Sequence, residues 1–173
     1  MQQAQLDLLV LAMQQGDERA FSLLYRHFHQ DLRRFAAYLL KQPAAAEDLV
    51  QNVWLKVSQR IGRLQDPAVF TSWLYRAVRW EVLDYQKHAA NRLNEPLHMH
   101  TEPYSQADVT DDNPLAQAIT ALAEPERLVV QLFYLHELAQ QQIALILDIP
   151  SGTVKSRLHR ARAQLQQALK EGD

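Results

Sequence analysis

A run near the C-terminus, residues 140–162 (Gln-Gln-Gln-Ile-Ala-Leu-Ile-Leu-Asp-Ile-Pro-Ser-Gly-Thr-Val-Lys-Ser-Arg-Leu-His-Arg-Ala-Arg), constrains this chain more than any other stretch. It reads as a helix, a tight break and a second helix. Ile143, Ala144 and Leu147 recur at helical spacing, and Asp148, Ile149 and Pro150 interrupt them, because a proline disfavours the α conformation at the residue before it. Ser151 is then expected to cap the next helix, its hydroxyl accepting from an orphan amide of the first turn. At about 100° per residue, Val154, Leu158, Ala161, Leu165 and Ala168 share one face. Ser156, His159 and Arg160 point the other way, flanked by Lys155 and Arg162. A basic, hydrogen-bonding side opposite a buried one suits the major groove, where Arg and Ser read base edges and Lys and Arg hold phosphates. A solvated surface helix would show the same wheel. The short helix and three-residue break directly before it favour a DNA-binding helix-turn-helix.

The chain has 173 residues, enough for one ordinary domain or two small ones. Its 47% hydrophobic and 22% charged residues are those of an ordinary globular protein, and only 4 glycines among many Ala, Leu and Gln favour helix throughout. The absence of cysteine excludes disulfides, thiolate metal sites and a cysteine nucleophile. There is no basic start followed by an apolar core, and no apolar run approaches about 18 residues, so no membrane insertion is expected and the protein is placed in the cytoplasm. A net charge of -2 argues against non-specific DNA coating; DNA affinity has to come from local patches.

In chain order, residues 4–14 form a short helix stopped by Gly16, and Asp17 caps a long one. Phe21, Leu24, Tyr25, Phe28, Leu32, Phe35, Ala36 and Leu39 mark the inner stripe of that second helix, which ends in a loop at Lys41-Gln-Pro43. A third helix is expected from Ala45 to Ile61, with Val50, Val53, Trp54, Val57 and Ile61 inside. Asp66-Pro67 opens a fourth that runs to about His88. Short loops between amphipathic helices make a compact bundle. The fourth helix buries Phe70, Leu74, Ala77, Val78 and Val82 and carries Arg76, Arg79 and Lys87 on another side, with Trp73 and Trp80 at the border. Two readings fit that spacing: both tryptophans belong to the core and the cations are solvated, or aromatics and cations together bind single-stranded nucleic acid.

From Asn91 to Asn113 the helical period stops, and Glu95, Glu102, Asp108, Asp111 and Asp112 outnumber the single cation Arg92, as in an acidic flexible linker. His98 and His100 lack third and fourth ligands nearby, so no metal and no cofactor are expected. Asn113-Pro114 caps the next helix, Glu124-Pro125 starts another through Leu135, and a tail follows from Lys170 to Asp173. The fold class is therefore all-α. Two small helical domains, a bundle over 1–90 and a helix-turn-helix domain over 114–173, are joined by the acidic linker over 91–113.

These residues carry a family resemblance. Ala123-Glu-Pro-Glu-Arg-Leu-Val-Val and the run from Ile143 to Arg162 resemble region 4 of the sigma-70 family, in particular its extracytoplasmic-function (ECF) group. Ala46-Glu-Asp-Leu-Val-Gln-Asn-Val-Trp54, Thr71-Ser-Trp-Leu-Tyr-Arg76 and Gly16-Asp-Glu-Arg-Ala-Phe-Ser-Leu-Leu-Tyr25 resemble region 2. The resemblance implies a transcription initiation subunit, not an enzyme. Its region 2 would dock on the β′ clamp helices of core RNA polymerase and open the −10 element of promoter DNA. Its region 4 would read the −35 element and sit on the β flap. An anti-sigma factor, which holds most such proteins inactive, is implied as a further partner. Carried over by residue, Asp48, Gln51, Asn52 and Leu55 match the polymerase-docking helix. The loop from Gly62 to Ala68, with Arg76, Arg79 and Trp80 and the neighbouring Lys87, matches the −10 surface. Thr153, Lys155, Ser156, His159 and Arg160, with Arg157 and Arg162 beside them, match the −35 readers.

Two positions depart from the family pattern: Asn52 stands where an acid is usual, and Trp80 where Asn is frequent. An indole stacks on a base but lacks an amide's paired donor and acceptor, so the −10 preference is expected to differ. Two other readings remain at this stage: a regulator that binds DNA alone through its helix-turn-helix, with the N-terminal bundle as a sensor or dimeriser, and a protein–protein adaptor that kept the fold and lost promoter function. An enzyme lacks support, since the chain has no Gly-rich phosphate loop, no metal-spaced histidines and no acid/base pair in an obvious cleft.

Overall fold

The computed structural model describes residues 1–93 and 113–171, and these are helices joined by short turns, with no strand among them. The chain divides into two compact units, Met1–Tyr104 and Ser105–Asp173. Among the described residues no helix is long and apolar enough to cross a membrane.

The first unit holds α1 (Gln3–Gln14), α2 (Glu18–Leu40), α3 (Pro43–Arg60) and α4 (Phe70–Leu93). Gly16, at φ +87°, makes the left-handed stop after α1, a conformation that costs glycine nothing. Asp17 caps α2 as expected: its carboxylate accepts from the amides of Arg19 at 2.8 Å and Ala20 at 3.2 Å. Lys41 closes α2 in the left-handed region, its amide donating to the Ala37 carbonyl. Pro43, read from sequence as part of a loop, is instead the first residue of α3, where its missing N–H is no loss. The bundle core takes Leu24, Phe28, Leu32 and Phe35 from α2, Val50, Val53, Trp54 and Val57 from α3, and Phe70, Leu74, Val78 and Val82 from α4. Each fully buried side chain of this size contributes about 1.5–3 kcal/mol. Phe21, Tyr25, Leu39 and Ala77, placed inside by the sequence pattern, are half-buried at the stripe's edges, while Ala20, Leu40 and Leu49 are buried.

Two 3₁₀ turns, Ile61–Arg63 and Pro67–Val69, separate α3 from α4. The Asp66 carboxylate accepts from the Ala68 amide at 3.0 Å, so the expected cap exists, but it opens a 3₁₀ turn and the α-helix proper begins at Phe70. The α4 helix then runs past His88 to Leu93, three residues into the segment expected as linker. The rest of that segment, residues 94–112, lies outside the described residues, as do His98 and His100.

The second unit begins with α5 (Pro114–Ala121), capped by Asn113, whose side chain accepts from the Leu115 amide at 3.0 Å. α6 (Glu124–Val130) continues as a π-helical turn, Gln131–Leu135, instead of staying α to Leu135; the His136 amide reaches back five residues to the Gln131 carbonyl. α7 (Gln140–Leu147) and α8 (Ser151–Glu171) form the helix-turn-helix. Asp148 takes the left-handed conformation at φ 57°, tolerable for Asp, and the Ile149 amide returns to the Ala144 carbonyl. Ser151 is not the cap it was expected to be. It is already helical, and the Pro150 carbonyl closes the first turn by accepting from the Thr153 and Val154 amides. Val154, Leu158 and Ala161 are buried against Val129, Leu132, Ile143 and Ile146 in this unit's core, but Leu165 is half-buried and Ala168 exposed. The helix outruns its core and continues through Lys170, where a tail was expected, to Glu171.

Candidate nucleic-acid and polymerase interfaces

The outward side of α8 carries four cations between Lys155 and Arg162 and no acid. Lys155, Ser156, His159, Arg160 and Arg162 are exposed, and Thr153 and Arg157 are half-buried on its flanks. The Ser156 hydroxyl donates to the Thr153 carbonyl at 3.0 Å. Two of the cations are held from behind. Arg160 Nη2 lies 2.9 Å from Glu126 Oε1 on α6. Arg162 Nε donates to Tyr134 Oη at 2.7 Å, with its guanidinium 5.6 and 5.8 Å from the ring centroids of Phe133 and Tyr134. The π turn sets those two rings beside α8, and no periodicity in the sequence announces it.

In the first unit, Trp80 is 56% exposed and Trp73 half-buried, so the reading in which both indoles are core does not hold for Trp80. Trp73, Arg76 and Trp80 on α4 line one groove with Lys56 and Arg60 on α3. The Lys56 ammonium reaches the Glu81 carboxylate at 2.6 and 2.8 Å, which ties the two helices together across it. Arg79 is half-buried and Lys87 exposed, and neither lines this groove. Lys56 and Arg60 escaped the sequence reading because they come from a different helix, and only packing brings them to the indoles. The Gly62–Ala68 loop is pinned from α1: Gln14 Nε2 donates to the carbonyls of Ile61 at 3.0 Å and Leu64 at 2.7 Å.

Asp48, Gln51, Asn52 and Leu55 are all exposed on one side of α3, opposite its buried stripe, and Leu55 is 61% exposed. They divide between two hollows. Asp48 and Asn52 line a groove shared with Glu81, Asp84, Tyr85 and His88 of α4, so carboxylates surround the position where Asn52 supplies none. Gln51 and Leu55 rim an aromatic notch of Phe21, Tyr25 and Trp54, in which Phe21 meets Trp54 edge-on at 5.7 Å. Gln51 donates to Glu47 Oε1 at 3.1 Å, and His29 Nε2 sits 3.2 Å from the same oxygen. Among the described residues no cluster of His, Cys, Asp or Glu could hold a metal ion.

A two-unit helical chain with an acid-free basic side on the second helix of a helix-turn-helix is, by architecture, of the DNA-binding transcription class. Family models sharpen this. Sigma-70 region 2 matches residues 24–92, and sigma-70 region 4 matches residues 112–165. The chain is 31% identical over 165 residues to the ECF RNA polymerase sigma factor SigM of Mycobacterium tuberculosis, covering 93% of this chain and 83% of that one. It is 27% identical over 175 residues to the ECF sigma factor SigW of Bacillus subtilis, covering 92% and 94%. Among solved structures it resembles the sigma factor RpoE of Bartonella quintana in complex with the anti-sigma factor NepR, at TM-score 0.65 and 25% identity, over 87% of this chain and 96% of that one. The fold is also that of CnrH, solved with the cytosolic domain of CnrY, at TM-score 0.69 and 22% identity over 97% and 99%. The chain belongs to the extracytoplasmic-function group of the sigma-70 family of RNA polymerase sigma factors.

Proposed function

We propose that this sigma factor divides its work between the units as the site residues suggest. Asp48, Gln51, Asn52 and Leu55 on α3 dock on the β′ clamp helices of core RNA polymerase. The α3–α4 groove, with Arg79, Lys87 and the Gly62–Ala68 loop beside it, takes the opened −10 strand. Thr153, Lys155, Ser156, Arg157, His159, Arg160 and Arg162 on α8 serve the −35 element, while the second unit rests on the β flap. The observation that carries this reading is Trp80, an indole left more than half exposed in one groove with Arg76, Lys56 and Arg60, where a base can stack on the ring while cations meet its backbone. The protein acts in the cytoplasm as a specificity subunit and catalyses nothing itself. The related RpoE–NepR complex supports an anti-sigma factor as its second protein partner.

Run-off transcription with core polymerase on a promoter library tests the whole assignment. New transcripts sharing −35 and −10 elements are expected only when the protein is added. Polymerase binding without transcripts would sink the promoter part of the reading, and no polymerase binding would sink the docking part.

A further inference from the structure

The residue that faces α8 from behind has no place in the promoter reading so far. Glu126 lies in the first turn of α6, and its side chain is only 12% exposed, whereas that of its partner Arg160 is 59% exposed. A carboxylate taken this far out of water needs a charged, hydrogen-bonded partner, and Arg160 Nη2 at 2.9 Å provides one. The guanidinium has five N–H donors in a rigid fork, so one contact with Glu126 leaves others for a phosphate or a base edge. A long arginine free in solvent must lose its rotamer freedom on binding DNA, and one already held loses less. Arg162 is fixed in a parallel way by Tyr134, but there the acceptor is a neutral phenol and the pair is exposed.

From this geometry we infer that Glu126 is a positioning residue for promoter recognition: it holds Arg160 in the orientation in which α8 meets DNA. Glu126 itself touches no DNA. The inference rests on the reading of α8 as the −35 helix. It makes the promoter readout depend on a buried side chain of another helix, outside the recognition motif.

The test uses the full chain in holoenzyme, with transcription measured on promoters substituted at each −35 position and over a range of salt concentrations. Arg160→Ala sets the reference signature: a flattened preference at one position or, where the guanidinium meets a phosphate, a salt slope shallower by about one. Glu126→Gln is expected to reproduce that signature with a loss of roughly 10-fold, and the double variant to be no worse than Arg160→Ala alone. Glu126→Asp keeps a buried carboxylate, and so the fold, but shortens its reach to Arg160 by one methylene. It is expected to show the same signature, which covers the case in which Glu126→Gln fails to fold. An unchanged −35 profile in a folded Glu126→Asp would overturn the inference. A lowered melting temperature with output reduced evenly at every −35 position and every salt concentration would mark Glu126 as merely structural and overturn the inference, as would losses that add in the double variant. Lys155→Ala separates the two levels of the argument. If it weakens −35 use while Glu126→Gln does not, only the inference fails. If neither has any effect, the −35 reading of α8 fails and takes the inference with it.

Discussion

At Trp80 the chain places an aromatic plane where an amide is frequent in the family, beside a groove that gathers cations from two helices. Stacking on a side chain is sequence-tolerant and worth about 1–3 kcal/mol per base, whereas an amide reads a base edge through paired hydrogen bonds. Trp80→Asn is therefore expected to shift the −10 consensus recovered from a promoter library; an unchanged consensus would remove Trp80 from the readout. A second residue-scale expectation concerns Tyr75, buried in the bundle core, where burial pushes its phenol well above the ordinary tyrosine range. The unfolded chain releases this proton at about pH 10 while the folded chain keeps it. Above that pH the unfolded state binds fewer protons, and stability falls as pH rises. Urea midpoints should drop between pH 9 and 11 with a steeper slope than in Tyr75→Phe, and equal slopes would contradict the assignment.

At the scale of the element, the entry of α8 carries a glycine that its own backbone geometry does not require. Gly152 sits in its first turn without positive φ, and a Cβ added there would meet nothing within 4 Å. Glycine in a helix costs about 0.5–1 kcal/mol relative to alanine, so the fold alone would favour a methyl. On the −35 reading of α8 proposed above, a DNA backbone approaching the amides of the helix N-terminus would supply a reason for the glycine. Gly152→Ala should raise the melting temperature by a few degrees and lower −35-dependent transcription several-fold. Higher stability with undiminished transcription would show that no close approach occurs there.

Across the whole molecule, the net charge of -2 and the acids at Asp108, Asp111 and Asp112 are expected to oppose unaided binding to DNA. Each small unit makes few base contacts, and mounting both on polymerase raises the effective concentration of the second once the first is engaged. Replacing the three aspartates by asparagine should strengthen promoter binding by the free protein more than by the holoenzyme, as gel-shift titrations at fixed salt would show. Equal changes in both would argue that the acids serve only as a tether.

The helices are legible along the chain, because a 3.6-residue apolar period, Asp17, Asn113 and Pro150 each act within one or two turns. So are the sides of α3 and α8 that stay outside, since a helical wheel needs no partner helix to be drawn. Where the sequence pattern misplaced elements, at Pro43, at Ser151, at the α start of Phe70 and at the π turn after Val130, the alternatives are neighbouring backbone hydrogen-bond patterns at a helix end, which local propensity does not separate. Helix packing brings the distant groups together: Lys56 and Arg60 with the indoles of α4, Gln14 with the loop after α3, and Glu126 with Arg160. Those pairings join residues that are remote along the chain. Their positions follow from how helices pack, a property of the whole core that no local pattern encodes.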